Sequence, residues 1–200
     1  MAHPTARGEQ ARAEILEAAK HLFLHYGYGA TSMRDIAKAA GNRAVAGIYN
    51  HFPTKQAIFQ ALLETHNPFD EIIAVVESGS GETGPKVFAN VMRELMLRLP
   101  NYVDFIDLAQ IDLREFQGEY IIQISEAHRT AVRVLQAVER AQKLPGLKPM
   151  NRIVLMELAA NFIFGYALGR RFTPPYLKAH LPEDVWIEQF IEAFLTGVAE

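Results

Sequence analysis

The chain has 200 residues, 50% hydrophobic and 22% charged, the balance of a folded globular protein large enough for one or two cores. It holds no cysteine, which excludes disulfide frameworks, thiolate metal sites and cysteine nucleophiles. The formal net charge of -3 conceals a division: residues 1–60 carry seven Lys and Arg against four Asp and Glu, and the remaining 140 carry 13 against 19. A basic module on an acidic body is the arrangement expected when one end of a chain faces an anion.

The opening stretch MAHPTARGEQ lacks the apolar run of a secretion signal. The most apolar segment, 153–168, contains Glu157 and Asn161 and falls short of a membrane span, so a cytoplasmic location is expected. Ile15, Ala19, Leu22, Phe23 and Tyr26 recur at helical spacing and predict an amphipathic first helix ending near Gly27. Thr31 and Ser32 can cap a short second helix with Met33, Ile36, Ala37 and Ala40 on its buried face, and Gly41-Asn42 stops it. A third is expected from Arg43, with Val45, Ile48, Tyr49 and Phe52 turned inward as far as the Pro53-Thr54 break. Thr54 caps a fourth through Ile58, Phe59, Leu62 and Leu63.

At Asn67-Pro68 the chain can start a new helix or kink the old one, and the reading favours a kinked continuation to Glu77. SGSGETG, residues 78–84, reads as a flexible linker. Further helices are expected over roughly 85–98, 102–115, 118–142, 149–170 and 183–198, separated by Pro- and Gly-containing breaks. No stretch alternates as a strand does, so the fold class is all-α.

Two short helices joined by a Gly-containing turn make a helix-turn-helix, whose second helix lies in the DNA major groove. Ala44, Val45, Ala46 and Gly47 suit close approach to base edges, and an alanine methyl can touch a thymine methyl. Arg43 can reach a guanine edge or a phosphate. Tyr49, Asn50, His51 and Lys55 follow, with Tyr49, His51 and Lys55 suited to phosphates, and Thr31 and Ser32 are candidates for the flanking strand. The same residues also fit a plain alternative, in which small residues only pack tightly and Tyr49 and His51 decorate a surface.

The order TSMRDIAKAAG followed by IYNHFPTKQAIF, preceded by ARAEILEAAKHLFLHYGYGATS, resembles the N-terminal domain of the TetR/AcrR family of bacterial regulators over about residues 8–64. The interval Asn42–Ile48 is one residue longer than the family's commonest form. The resemblance implies a helix-turn-helix domain over 1–53 and a helical effector-binding and dimerisation domain over 54–200. It implies a homodimeric repressor that binds a palindromic DNA operator and is released by a small molecule of unknown class, with no cofactor.

The apolar helix MNRIVLMELAANFIFGYALGRR and the stripe Ile187, Phe190, Ile191, Phe194, Leu195 and Val198 are the expected dimer helices. Met92, Met96, Phe105, Leu108, Tyr120, Gln123, Phe162 and Tyr166 combine aromatic, Met and polar groups as an effector pocket does. Other readings are an all-α enzyme or carrier with an incidental helix-turn-helix, and a TetR-like activator or co-regulator. His21 and His25 sit one turn apart as metal ligands do, but no third ligand accompanies them in sequence, and neither a metal site nor a catalytic one is expected.

Overall fold

The computed structural model describes residues 6–200 apart from the Ser125 side chain; the first five residues of the N-terminal segment lie outside that range. The described residues form α1 (Ala6–Tyr26), α2 (Met33–Ala39), α3 (Val45–Tyr49), α4 (Lys55–His66), α5 (Phe69–Ser78) and α6 (Gly84–Arg98). After a 3-10 turn at Leu99–Tyr102 come α7 (Val103–Phe116), α8 (Glu119–Gln123), α9 (Ser125–Gln142), α10 (Arg152–Phe172), α11 (Pro175–Lys178) and α12 (Glu183–Val198). An isolated antiparallel bridge joins Leu147 to Ala199, and no strand occurs among the described residues, so the protein is all-α.

Three elements differ from the sequence reading. The fourth helix does not continue through a kink: α4 ends at His66, Asn67 is extended at φ -65 and ψ 136, and α5 starts afresh at Phe69. The ring of Pro68 disfavours helical geometry at the residue before it, and Asn67 instead donates from its side chain to the Glu64 carbonyl at 2.6 Å. The single helix expected over 118–142 is broken at Ile124, whose ψ of 117 separates α8 from α9. The apolar helix expected over 149–170 runs instead from Arg152 to Phe172, because Asn151 caps it by accepting from the Ile153 N–H at 2.9 Å.

The chain packs as two compact units. The first comprises the chain up to Asn67 together with Tyr102–Ile124; the second comprises Pro68–Asn101 and Ser125–Glu200. This division differs from a boundary at residue 53, because α4 buries Ile58, Phe59, Leu62 and Leu63 while packing on α1, α7 and α8.

The first unit is built on Ile15, Ala19 and Phe23 of α1, Ile36 and Ala37 of α2, Ile48 of α3, and Leu108 and Ile111 of α7. An aromatic cluster closes it, with Tyr28 5.1 Å from Phe23, 5.5 Å from Phe59 and 5.0 Å from Phe116, and Phe116 4.7 Å from Tyr120. Tyr26, expected on the buried stripe, is 66% exposed; Gly27 at φ +89 ends the helix behind it, and Tyr28 fills the core instead. The second unit centres on Phe88, Met92, Met96, Leu155, Tyr166, Ile187, Ile191 and Phe194, with Arg93 of α6 gripping Glu188 of α12 through two bonds of 2.5 and 2.8 Å.

Candidate nucleic-acid interface

A reciprocal capping box starts α2. The Ser32 hydroxyl oxygen accepts from the Asp35 backbone N–H at 3.2 Å, and the Asp35 carboxylate accepts from the Ser32 N–H at 2.9 Å. The Ser32 hydroxyl also donates to Asp35 Oδ2 at 2.6 Å, and this bond, followed by that from the Ser32 N–H, holds the Asp35 carboxyl below its usual range. Thr31, expected to meet the flanking DNA strand, is 3% exposed and donates its hydroxyl to the Gly27 carbonyl at 2.9 Å. Its side chain seals the core, and of the pair it is the exposed Ser32 that faces solvent.

The turn after α2 is tight. Gly41 at φ 87 and Asn42 at φ 55 are both left-handed, a conformation that glycine and asparagine adopt at least strain. Asn42 N–H then reaches the Lys38 carbonyl at 3.0 Å and Arg43 N–H the Ala37 carbonyl at 2.9 Å. Arg43 and Ala44 are used by this turn, so the third helix starts at Val45 rather than Arg43. The two left-handed residues accommodate the long interval before it.

Ile48 and Phe52 anchor α3 from beneath. Ala44, Ala46 and Asn50 are exposed, and Val45, Gly47 and His51 are half-buried. Tyr49, read as inward-facing in the helix and also as a phosphate contact, is 51% exposed, which leaves its hydroxyl on the outer face. Thr54 caps α4, accepting from the Ala57 N–H at 3.0 Å.

Two basic candidates are held within the unit. The Lys55 ammonium donates to the Tyr28 carbonyl at 2.8 Å and the Thr31 carbonyl at 2.7 Å, and lies 4.2 Å from the centre of the Tyr28 ring. Burial lowers its pKa against the opposing pull of Glu115. Lys55 is therefore a clamp on the loop ahead of α2, and its expected place on a phosphate is taken by two backbone carbonyls. Arg43 donates from Nη2 to the Glu14 carboxylate of α1.

Tyr28, passed over as a functional residue in the sequence, is the hub of this clamp. It is 7% exposed, and burial, with Tyr120 and Glu115 nearby, raises its hydroxyl to about 12. The Tyr-x-x-Thr-Ser spacing and a Lys one residue after a helix cap were visible signals, but nothing in sequence brings them together across 27 positions.

The eight effector candidates divide between the units. Leu108, Phe105, Tyr120 and Gln123 belong to the first, where Leu108 is fully buried and Gln123 is exposed and donates to Glu119 at 3.1 Å. Gln123 thus lies on the surface of its unit, because α8 ends there and turns its last residue outward. Met92, Met96, Phe162 and Tyr166 belong to the second, where Phe162 packs 5.4 Å from Phe194 and Tyr166 5.1 Å from Phe190. The Tyr166 hydroxyl donates to Glu183, and burial raises its pKa.

His21 and His25 stack with ring centres 4.2 Å apart, and His25 Nδ1 bonds the His21 carbonyl at 2.9 Å, which fixes the proton on that nitrogen. No group of three or more candidate metal-ligating side chains converges among the described residues.

A capped α2, a tight turn and an outward-facing α3 on a basic N-terminal segment have the arrangement of a helix-turn-helix, the element with which DNA-binding regulators enter the major groove. The sequence profile described as "Bacterial regulatory proteins, tetR family" matches residues 15–62. The chain is 28% identical over 175 residues to the HTH-type transcriptional regulator TtgR of Pseudomonas putida, covering 80% of this chain and 78% of that one. It is 29% identical over 142 residues to the HTH-type transcriptional repressor Rv1474c of Mycobacterium tuberculosis, covering 71% and 68%. Its fold is similar to the crystal structure of a tetR-family regulatory protein from Rhodococcus RHA1, with a TM-score of 0.70 at 18% identity over 94% of this chain and 96% of that one. Residues 15–62 thus match the tetR-family profile, and the chain as a whole is similar to tetR-family regulators in sequence and fold.

Proposed function

We propose that the chain is a ligand-responsive repressor that binds a palindromic operator as a homodimer, placing α3 of each copy in successive major grooves, and that a small molecule releases it. The observation that carries the DNA-facing role is Gly47. A glycine inside a helix costs about 1 kcal/mol relative to alanine. Nothing among the described residues requires one here, since Gly47 has no left-handed φ and a Cβ added to it meets none of their atoms within 4 Å. The reason then lies outside the chain, in a surface that α3 must approach closely. With exposed Ala44 and Ala46 beside it, that surface is a groove lined by base edges. Tyr49, Asn50, His51 and Ser32 supply polar contacts at its margins.

Dimerisation rests on α10. Although the sequence reading has 153–168 fall short of a membrane span, the whole of α10 is by length and composition apolar enough to cross one, and most of it is not buried within the described residues. Ile153, Val154, Phe164 and Phe172 are exposed on it, and Gly165 and Gly169 leave open space where another helix can come close. A second copy suits this face better than lipid, because Glu157 and Asn161 are also exposed on α10 and Arg170 near its end pairs with Glu183 of α12. The apolar stripe of α12 is spent differently from expectation. Ile187, Ile191, Phe194 and Val198 are buried in the unit's own core, which leaves Gln189, Glu192, Ala193, Thr196 and Gly197 as the outward face of that helix.

The effector reading rests on Met92, Met96, Phe162 and Tyr166, where two adaptable Met side chains can repack around a guest. No catalytic role is assigned. Gel-shift against fragments of genomic DNA, together with sedimentation, tests the whole reading. The expected result is a dimer that retards a few fragments far more strongly than random DNA. A monomer that retards every fragment alike overturns it.

A further inference from the structure

Glu14 lies on α1, a different helix from the one proposed to read DNA, yet its carboxylate is fixed from two sides. Gln10 one turn earlier donates to Oε1 at 3.1 Å, and Arg43 of the α2–α3 turn donates to Oε2. The bond from Arg43, reinforced by that from Gln10, holds the carboxyl below its usual range. Glu14 and Glu17 also line one open groove with Ala39, Ala40 and Gly41, so the carboxylates sit against the turn itself. Glu17 is matched by Lys20 at 3.1 Å, and the partner of Glu14 across the turn is the arginine that the sequence sends toward DNA.

We propose that Glu14 is a specificity-determining charge gate on Arg43. While the pair is closed, the guanidinium presents no net charge to a phosphate, and random DNA gains nothing from it. An operator that fits α3 brings an acceptor close enough to share or displace the carboxylate. Glu14 thereby lowers affinity for all DNA and lowers it least for the operator. The inference rests on the reading that Arg43 faces DNA.

The test is operator and random-DNA affinity across a salt series for Glu14→Gln, Arg43→Ala and the double variant. Glu14→Gln keeps the side chain's shape and a carbonyl acceptor but removes the charge. It should bind random DNA about threefold more tightly at 50 mM salt, with a log–log salt slope steeper by about 0.9, the increment for one further phosphate. The operator should gain less, so the ratio of operator to random-DNA affinity falls. Glu14→Asp, which restores the charge, should return the wild-type slope, and this variant also serves if Glu14→Gln melts early. In the Arg43→Ala background, Glu14→Gln should change nothing. Three results overturn the gate: weaker binding by Glu14→Gln, an unchanged slope, or the same gain without Arg43. Wild-type protein that retards no fragment above random DNA defeats the DNA-binding reading instead.

Discussion

The aromatic core and helix-turn-helix surface of the first unit differ from the α10 face of the second in how they place apolar side chains, although Leu113 and Ile122 of the first unit are also exposed. The first turns Phe23, Tyr28, Phe59, Phe116 and Tyr120 onto one another and spends its helix-turn-helix surface on small and polar residues. The second completes a core around Met92 and Phe194 and still leaves Ile153, Val154, Phe164 and Phe172 of α10 in solvent, with Tyr176, Leu177 and Leu181 exposed in the segment that follows. A surface proposed to meet a polyanion in water has no use for apolar area, and one proposed to meet another copy of itself does. The contrast shows that burial within a single chain is a poor guide to which apolar residues matter.

The largest effect that would sharpen this contrast is expected at Phe59. Phe59→Ala removes the ring on which the Tyr28, Phe116 and Tyr120 contacts converge and should cost about 3–5 kcal/mol of stability. Hydrogen exchange should show α7 and α8 losing protection together with α2 and α3. Loss confined to α4 would break the picture of one cluster holding the first unit.

Next in size is the open face of the second unit. Phe164→Asp should weaken the dimer by 2 kcal/mol or more, about 30-fold in dissociation constant, while the monomer's melting temperature stays near wild type. Phe194→Asp is the informative partner, because Phe194 is 2% exposed in the core and its substitution should unfold the unit outright. Sedimentation and circular dichroism on both variants give the comparison, and a dimer indifferent to Phe164→Asp removes α10 from the interface.

A smaller effect is expected at Lys55. Losing the bonds to the Tyr28 and Thr31 carbonyls should cost about 1.5 kcal/mol in denaturant unfolding and leave the salt dependence of DNA binding unchanged. A slope shallower by about 0.9 with unchanged stability would return Lys55 to a phosphate.

The smallest effect concerns pH. His66 lies 4.0 Å from Asp104 in a cluster with Lys20 and Glu17, and burial, followed by the charge of Lys20, lowers its pKa below 6.5. The unfolded chain therefore binds a proton more readily than the folded one. The contribution of neutral His66 is present above pH 6.5 and is lost as pH falls through the folded value. Denaturant midpoints for the wild type should decline from pH 7 to pH 5 more than those of His66→Gln. Parallel curves would mean that the imidazole does not contribute to this decline.

Sequence alone determined the helical class, the capping of α2 at Ser32, the stop at Gly41-Asn42 and the resemblance of the N-terminal segment to the tetR family. Each is written in local terms: spacing of apolar residues, a side chain three positions from the N–H it satisfies, or a residue that tolerates a left-handed backbone. Only the tertiary structure decided what became of Thr31, Arg43, Lys55 and the α12 stripe. A hydroxyl, a guanidinium or an ammonium is equally suited to a phosphate, a carboxylate or a backbone carbonyl. Which acceptor it takes depends on what the fold brings within 3 Å, and for Lys55 that was the loop at Tyr28 and Thr31, 27 and 24 positions earlier in the chain.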